Sequence, residues 1–279
     1  MDIKRLTSAL LGFPLVVLIL TFGNKYVVDI FLMIVAMLGM QEYFNAVAKE
    51  SKPVRWVGYL SCVAIALVHI LPENVPEQIN KMIVLIAIPL INLILFAHVI
   101  ITNMKINFKD IAYTLFGIIY VTMMLAYIYE TRRLDNGVYL VWLIFVSSWG
   151  NDTFAYFTGV LIGKHKMAPV LSPKKSIEGA IGGIAGATAL GVIYGSIVST
   201  RMTEELVSPM LTFAVASCIG AMLAIVGDLA ASAIKRNYNV KDYGKLIPGH
   251  GGILDRFDSV IFTAPVVYWA VVIINGLGR

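Results

Sequence analysis

The sequence predicts an all-α, polytopic integral membrane protein with about nine transmembrane helices. Three observations carry this reading. Hydrophobic residues fill 58% of the 279 positions and charged residues only 14%, against roughly 25% charged in a soluble domain, and the mean hydropathy is +0.81. Apolar runs close to the ~20 residues a helix needs to cross about 30 Å of hydrocarbon recur along the whole chain. The short alternating segments of a membrane barrel do not occur.

Taken in order, the expected spans are Leu6–Phe22, Tyr26–Phe44, Trp56–Leu71, Met82–Ile101, Ile111–Tyr129, Val138–Gly159, Ile177–Val198, Met210–Ile234 and Ile253–Ile274. Lys4 and Arg5 ahead of the first run resemble the start of a signal peptide. No small-x-small cleavage site follows and the second run begins almost at once, so the first run reads as an uncleaved helix. Gly23-Asn24-Lys25 joins the first two spans as a tight hairpin. Pro14 and Pro89 fall inside spans, where neighbouring helices re-satisfy the freed carbonyls. Cys62 and Cys218 both fall inside spans and form no disulfide framework or metal-binding pair. Residues 1–135 supply five N-terminal spans, and residues 136–279 supply four spans with two basic loops.

Sixteen of the 22 Lys and Arg residues fall on one side of a nine-span arrangement and six on the other. The excess marks the cytoplasmic side, which places the N-terminus in the cytoplasm and the C-terminus outside. The same bias accounts for the pI near 9.1 without nucleic acid as a partner. The seventh span carries Gly179/Gly183, Gly182/Gly186 and Gly191/Gly195 at GxxxG spacing, which lets helix backbones approach closely; it is expected to pack helices and permits a homodimer.

Under this topology the acids gather into one layer. Asp152 lies near the cytoplasmic end of the sixth span. Asp228 lies seven residues before Lys235 in the eighth, roughly 10 Å deeper along the helix. Asp255 and Asp258, three apart, share one face of the ninth. Carboxylates in lipid are costly and point to function, and an oxygen-only set favours a hard ion such as Mg²⁺. The acids are expected to be confined to this side. Between Asp228 and Asp255 lies a loop bearing Lys235, Arg236, Lys241, Lys245, His250 and Gly251-Gly252. Its cations suit phosphates, and the glycine pair before a helix start lets backbone N–H groups approach an anion. A second basic loop, with Lys164, His165, Lys166 and then Ser172-Pro173-Lys174-Lys175-Ser176, has the character of a phosphate clamp. It is not a P-loop, because its glycine spacing is wrong and His165 stands where a hydroxyl residue belongs.

The run Ser232-x-Ile234-Lys235-Arg236-x₄-Lys241-Asp242-x-Gly244, continuing through Pro248-x-His250-Gly251-Gly252-Ile253-x-Asp255-Arg256-Phe257-Asp258, resembles the signature of the phosphatidate cytidylyltransferase (CDP-diacylglycerol synthase) family. Trp149-Gly150-Asn151-Asp152-Thr153 and Ser172-Pro173-Lys174-Lys175-Ser176-x-Glu178-Gly179 resemble that family's other motifs. The first five spans match it only in length and hydrophobicity. The resemblance implies Mg²⁺-dependent transfer of a cytidylyl group from CTP to phosphatidate in phospholipid biosynthesis, with Mn²⁺ as a substitute ion and a monovalent cation as a further candidate. The compact, loop-poor form points to a bacterial plasma membrane, the Lys and Arg distribution turns the site to the cytoplasm, and the resemblance leans toward a homodimer. Asp228, Asp255 and Asp258, with Asp152 as a further candidate, are the expected metal ligands. Lys235 and Arg236 join them as catalytic residues. Lys174, Lys175, Ser176, Ser232, Lys241, His250, Gly251, Gly252 and Arg256 are the expected substrate-binding set.

Three rival readings compete with this one, a transporter and two other enzymes. An ion-coupled secondary transporter also uses acids at depth, but it calls for inverted repeats and polar groups reaching both faces. A CTP-dependent lipid kinase would share the nucleotide loop and release CDP instead of pyrophosphate. A CDP-alcohol phosphotransferase would carry D-x₃-D where this chain has D-x₂-D.

Overall fold

Each of the nine apolar runs folds as a helix over its described residues in the structure, a computed structural model that describes residues 3–70, 77–203, 206–249 and 251–276; Leu71, the expected end of the third run, lies outside them. Among these residues the helices are α1 (Ile3–Phe22), α2 (Lys25–Val47), α3 (Arg55–Ile70), α4 (Glu77–Ile101), α5 (Phe108–Arg133), α6 (Gly137–Ile162), α7 (Ile177–Val198), α8 (Pro209–Asn237) and α9 (Leu254–Asn275). Their ends lie close to the expected boundaries because local chemistry sets them. Asn24 caps α2 by accepting the Val27 N–H at 3.0 Å. Asn107 and Asp110 form a reciprocal capping box at the start of α5, and Pro209 opens α8, where a missing N–H costs nothing.

Five helices are long and apolar enough to cross a membrane: α2, α5, α7 with its extension to Arg201, α8 and α9. The apolar stretches Gly12–Phe22, Arg55–Ile70 and Leu85–Ile101 are shorter. Helix α6 has 26 residues but is not among the five; Ser147, Ser148, Asn151 and Asp152 dilute its apolar character. By length and composition these helices are those of an integral membrane protein. Large apolar side chains such as Leu85, Ile100 and Leu161 stand exposed on the outside of the bundle, as a lipid-facing surface requires.

Helices α6 to α9 pack most extensively on one another, and α9 also packs on α5 and α2. The glycines of α7 make this possible. Side chains at Gly179 and Gly183 would run into Ala155 and Asn151 of α6, and at Gly191 and Gly195 into Ser217 and Phe213 of α8. The GxxxG faces are therefore filled within the chain, so they lend no support to a homodimer. A buried hydroxyl pair, Ser148 with Ser259 at 2.7 Å, ties α6 to α9.

Two features have no counterpart in the hydropathy pattern. Residues Ile118–Met123 wind as one π-helical segment inside α5. The loop between α6 and α7 is an antiparallel hairpin, β1 (Lys166–Ala168) with β2 (Ser172–Ser176).

Candidate active site

The loop from α8 to α9 is organised by Asp255. One of its oxygens accepts Lys235 Nζ at 2.8 Å. The other accepts the backbone N–H groups of Tyr243 at 2.8 Å and Gly252 at 3.0 Å. Lys235 sits in the last turn of α8, where a cation suits the helix dipole, and its ammonium also lies 5.3 Å from the Tyr243 ring centre. Burial pushes the Tyr243 phenol up, so it stays neutral and donates to the Ala231 carbonyl at 3.3 Å. A bridge from the Ile247 N–H to the Gly251 carbonyl, 2.8 Å, closes the loop. Gly251 has φ +86°, a conformation that other residues rarely adopt.

Asp258 has different surroundings. Its one hydrogen bond given by the structure is local, from the Ser259 N–H at 2.8 Å, and it lies within electrostatic reach of Asp228, Lys235 and Asp152. Asp152 in turn feels Lys175, Asp228 and Arg256. The Lys175 ammonium rests directly on the Asp228 carboxylate. Backbone packing places these groups together. A side chain at Gly227 would strike the Asp258 carbonyl, so α8 and α9 cross closely beside Asp228. The Ser148–Ser259 pair brings in α6 one helical turn before Asp152. Three carboxylates from three helices thus lie within electrostatic reach of three cations.

The expected residues divide into two groups. Asp152, Asp228, Asp258, Lys175, Lys235 and Arg256 converge. Arg236 and Lys174 are exposed next in sequence to Lys235 and Lys175, Lys241 is exposed in the loop, and Ser232, half-buried, lies one turn beyond Asp228 on α8. Two of the expected groups already have partners. Ser176 caps α7 by accepting the Gly179 N–H at 3.1 Å, which leaves its hydroxyl proton to donate elsewhere. The N–H cradle expected at Gly251-Gly252 is occupied from inside: Gly252 donates to Asp255, while Ile253 and Leu254 donate to Glu42 of α2. His250 lies outside the described residues.

The sequence matches the family model described as the cytidylyltransferase family over residues 3–274. The chain belongs to the cytidylyltransferase family. Phosphatidate cytidylyltransferase of Staphylococcus epidermidis is 33% identical over 267 residues, spanning 96% of this chain and 97% of that protein. The Thermotoga maritima protein of the same name is 40% identical over 172 residues, 62% of this chain and 63% of its own. The Staphylococcus saprophyticus one is 34% identical over 210 residues, 75% and 77%. The cytidylyltransferase match thus runs through the N-terminal helices, where the motifs alone offered only length and hydrophobicity.

Three features of this cytidylyltransferase went unread in the sequence. Glu42, 7% exposed, is a charge inside an apolar run, and that cost was the available signal. Tyr120 sits in the π-helical segment with its buried hydroxyl toward Tyr243 and within electrostatic reach of Asp258, Asp255 and Asp228. π-Bulges recur at functional sites, but nothing in the residue pattern marks one. Third, the acids are not confined to one end. Asp29, 2% exposed, lies 13 residues before Glu42 on α2, or about 20 Å away along the helix. It accepts or shares a proton with His69 Nδ1 at 2.8 Å, and His69 Nε2 faces Glu130 at 3.3 Å. Tyr129 stacks on the His69 ring at 4.2 Å.

Proposed function

We propose that the chain transfers the cytidylyl group of CTP to phosphatidate, giving CDP-diacylglycerol and pyrophosphate for phospholipid synthesis. One observation carries this reading. Three carboxylates from α6, α8 and α9 lie within electrostatic reach of Lys175, Lys235 and Arg256, with Lys175 paired to Asp228, in a chain that aligns nearly end to end with a phosphatidate cytidylyltransferase.

The donor set fits a hard divalent cation. It consists of carboxylate oxygens with no thiol, and a cationic ammonium already rests on Asp228. Asp152, Asp228 and Asp258 would hold Mg²⁺, or Mn²⁺ in its place. Among the described residues no three His, Cys, Asp or Glu side chains stand close enough to hold an ion between them, so these acids would bind it together with waters and substrate phosphates, as Mg²⁺ prefers. Bound there, the ion supplies charge neutralisation to the triphosphate. Asp255, expected to be a ligand, has both oxygens engaged and acts one step back, by fixing Lys235 and the loop.

A phosphate oxygen of phosphatidate attacks the α-phosphorus of CTP. A new P–O bond forms, the bond from the α-phosphorus to the bridging oxygen breaks, and pyrophosphate leaves with that electron pair. Phosphatidate is a phosphate monoester with a second pKa near ~6, so its oxygen is a competent nucleophile at neutral pH without a strong base. The task left to the protein is positioning and charge neutralisation. Lys235, Arg236 and Lys241 receive the leaving pyrophosphate, and Lys174 and Lys175 bind the phosphatidate head group. The basic side of the chain faces the cytoplasm, where CTP is available, and bacterial relatives support a plasma membrane.

Turnover of detergent-purified protein with phosphatidate, α-labelled CTP and Mg²⁺ tests the proposal. Label should enter lipid, with equimolar pyrophosphate, and stay in water without the ion. CDP released alongside a phosphorylated lipid would instead mean a kinase.

A further inference from the structure

Helix α2 and the turn that follows it touch the loop between α8 and α9 at its two ends, with charges of opposite sign. Glu42 Oε1 accepts the Ile253 N–H at 3.0 Å and Oε2 accepts the Leu254 N–H at 2.8 Å. An anion is thereby set on the N-terminus of α9, where the helix dipole favours it. Lys49, seven residues further along the chain, donates Nζ to the carbonyls of Tyr238 at 3.2 Å and Asn239 at 3.5 Å. These carbonyls follow the end of α8, where a cation is favoured.

Two glycines report how closely the loop is fitted to Glu42. Gly244 and Gly252 are absent from the residues with positive φ, so their backbone conformation admits a side chain. The Glu42 carboxylate is what excludes one: at both positions the three nearest atoms a Cβ would meet all belong to Glu42. From there a short chain of contacts leads to the chemistry. Gly252 donates to Asp255, and Asp255 holds both the Tyr243 N–H and the Lys235 ammonium.

We propose that Glu42, assisted by Lys49, is a positioning residue for cytidylyl transfer, acting through the Gly252–Asp255–Lys235 contacts. The inference rests on the proposed reaction. Glu42 makes no substrate contact in it; the carboxylate is the template around which the nucleotide loop closes. Displacement of such a template by about 1 Å costs up to ~100-fold in rate.

Glu42→Gln keeps the shape but turns an amide NH₂ toward a backbone N–H. Its kcat should fall at least ~10-fold, with the KM for phosphatidate within about twofold of wild type. A double-mutant cycle separates positioning from loss of fold. Gly252→Ala alone places a Cβ against the carboxylate and should lower kcat by ~10-fold or more, whereas Glu42→Asp withdraws the carboxylate and makes room. The double variant should therefore be at least about threefold more active than Gly252→Ala alone, despite carrying one more change. Lys49→Met should cost a few-fold. A double variant no better than the product of the two single effects would overturn the proposal, as would a Glu42→Gln loss matched by loss of folded protein. The same cycle read in unfolding midpoints tests the Glu42–Gly252 fit independently of turnover. Wild-type protein that makes no CDP-lipid would sink the reaction instead, and leave that thermal cycle standing.

Discussion

Asp255 and Asp258 stand three residues apart at the start of α9, yet their surroundings separate their roles. Asp255 is buried against Lys235, itself largely enclosed, and holds two loop N–H groups. Removing one partner of a buried ion pair leaves the other charge uncompensated, at a cost of ~3–5 kcal/mol. Asp255→Asn should therefore lower both the unfolding midpoint and turnover. Asp258 makes a local bond to the Ser259 N–H that an Asn oxygen would keep, and it lies among like charges. Asp258→Asn should abolish turnover, by ~100-fold or more if it binds the ion, while leaving the midpoint unchanged or raised. Thermal unfolding and single-substrate kinetics on the two variants check this. Equal stability losses would remove the distinction. The sequence made the two acids look alike because spacing reports a shared helix face and says nothing of which partner reaches each one.

At the scale of elements, the helices were legible and their contacts only partly so. The expected seventh span, Ile177–Val198, coincides with α7, since Ser176 caps it at one end and apolar residues run to the other. The hairpin before it was read as loop, because Lys-Met-Ala and Ser-Pro-Lys-Lys-Ser are too short and too polar to show a strand pattern. The glycines of α7 were read as packing residues, and the helices they admit are now identified. Glycine matters as much where α8 meets α9. Gly227→Ala would drive a Cβ into the Asp258 carbonyl and the Phe262 ring, parting the helices at the level of the acids. Overpacking of this kind costs ~1–3 kcal/mol, and here it should also cut kcat by about tenfold. Gly195→Ala supplies the control, since its Cβ meets Phe213 away from the acids. It should lose comparable stability, with kcat per folded molecule within about twofold of wild type. A Gly195→Ala variant as inactive as Gly227→Ala would show that general loosening, and not the local α8–α9 approach, limits turnover.

Across the whole molecule, charged groups occupy both ends of α2, and the sequence reading missed this because it weighed the cytoplasmic loops and passed over single acids inside apolar runs. Glu42 belongs to the catalytic end. Asp29 belongs to a set in which His69 bridges two carboxylates and stacks on Tyr129. Between them α2 buries Leu32, Val35, Ala36 and Met40, an apolar layer about 13 residues, or ~20 Å, from acid to acid. A transporter needs polar groups that continue from one face to the other, and this layer interrupts any such path along α2. The Asp29 set is then a structural staple for α2, α3 and α5. His69→Leu removes the bridge and leaves Asp29 buried without its partner, so the unfolding midpoint should drop by an amount corresponding to ~3–5 kcal/mol. Turnover per folded molecule should stay within about twofold, because no contact in the site changes. Circular dichroism melts and kcat on the same preparation read both quantities. A kcat loss without a shift in the midpoint would mean that the two ends are energetically coupled, and the ion-path reading of this membrane protein would return.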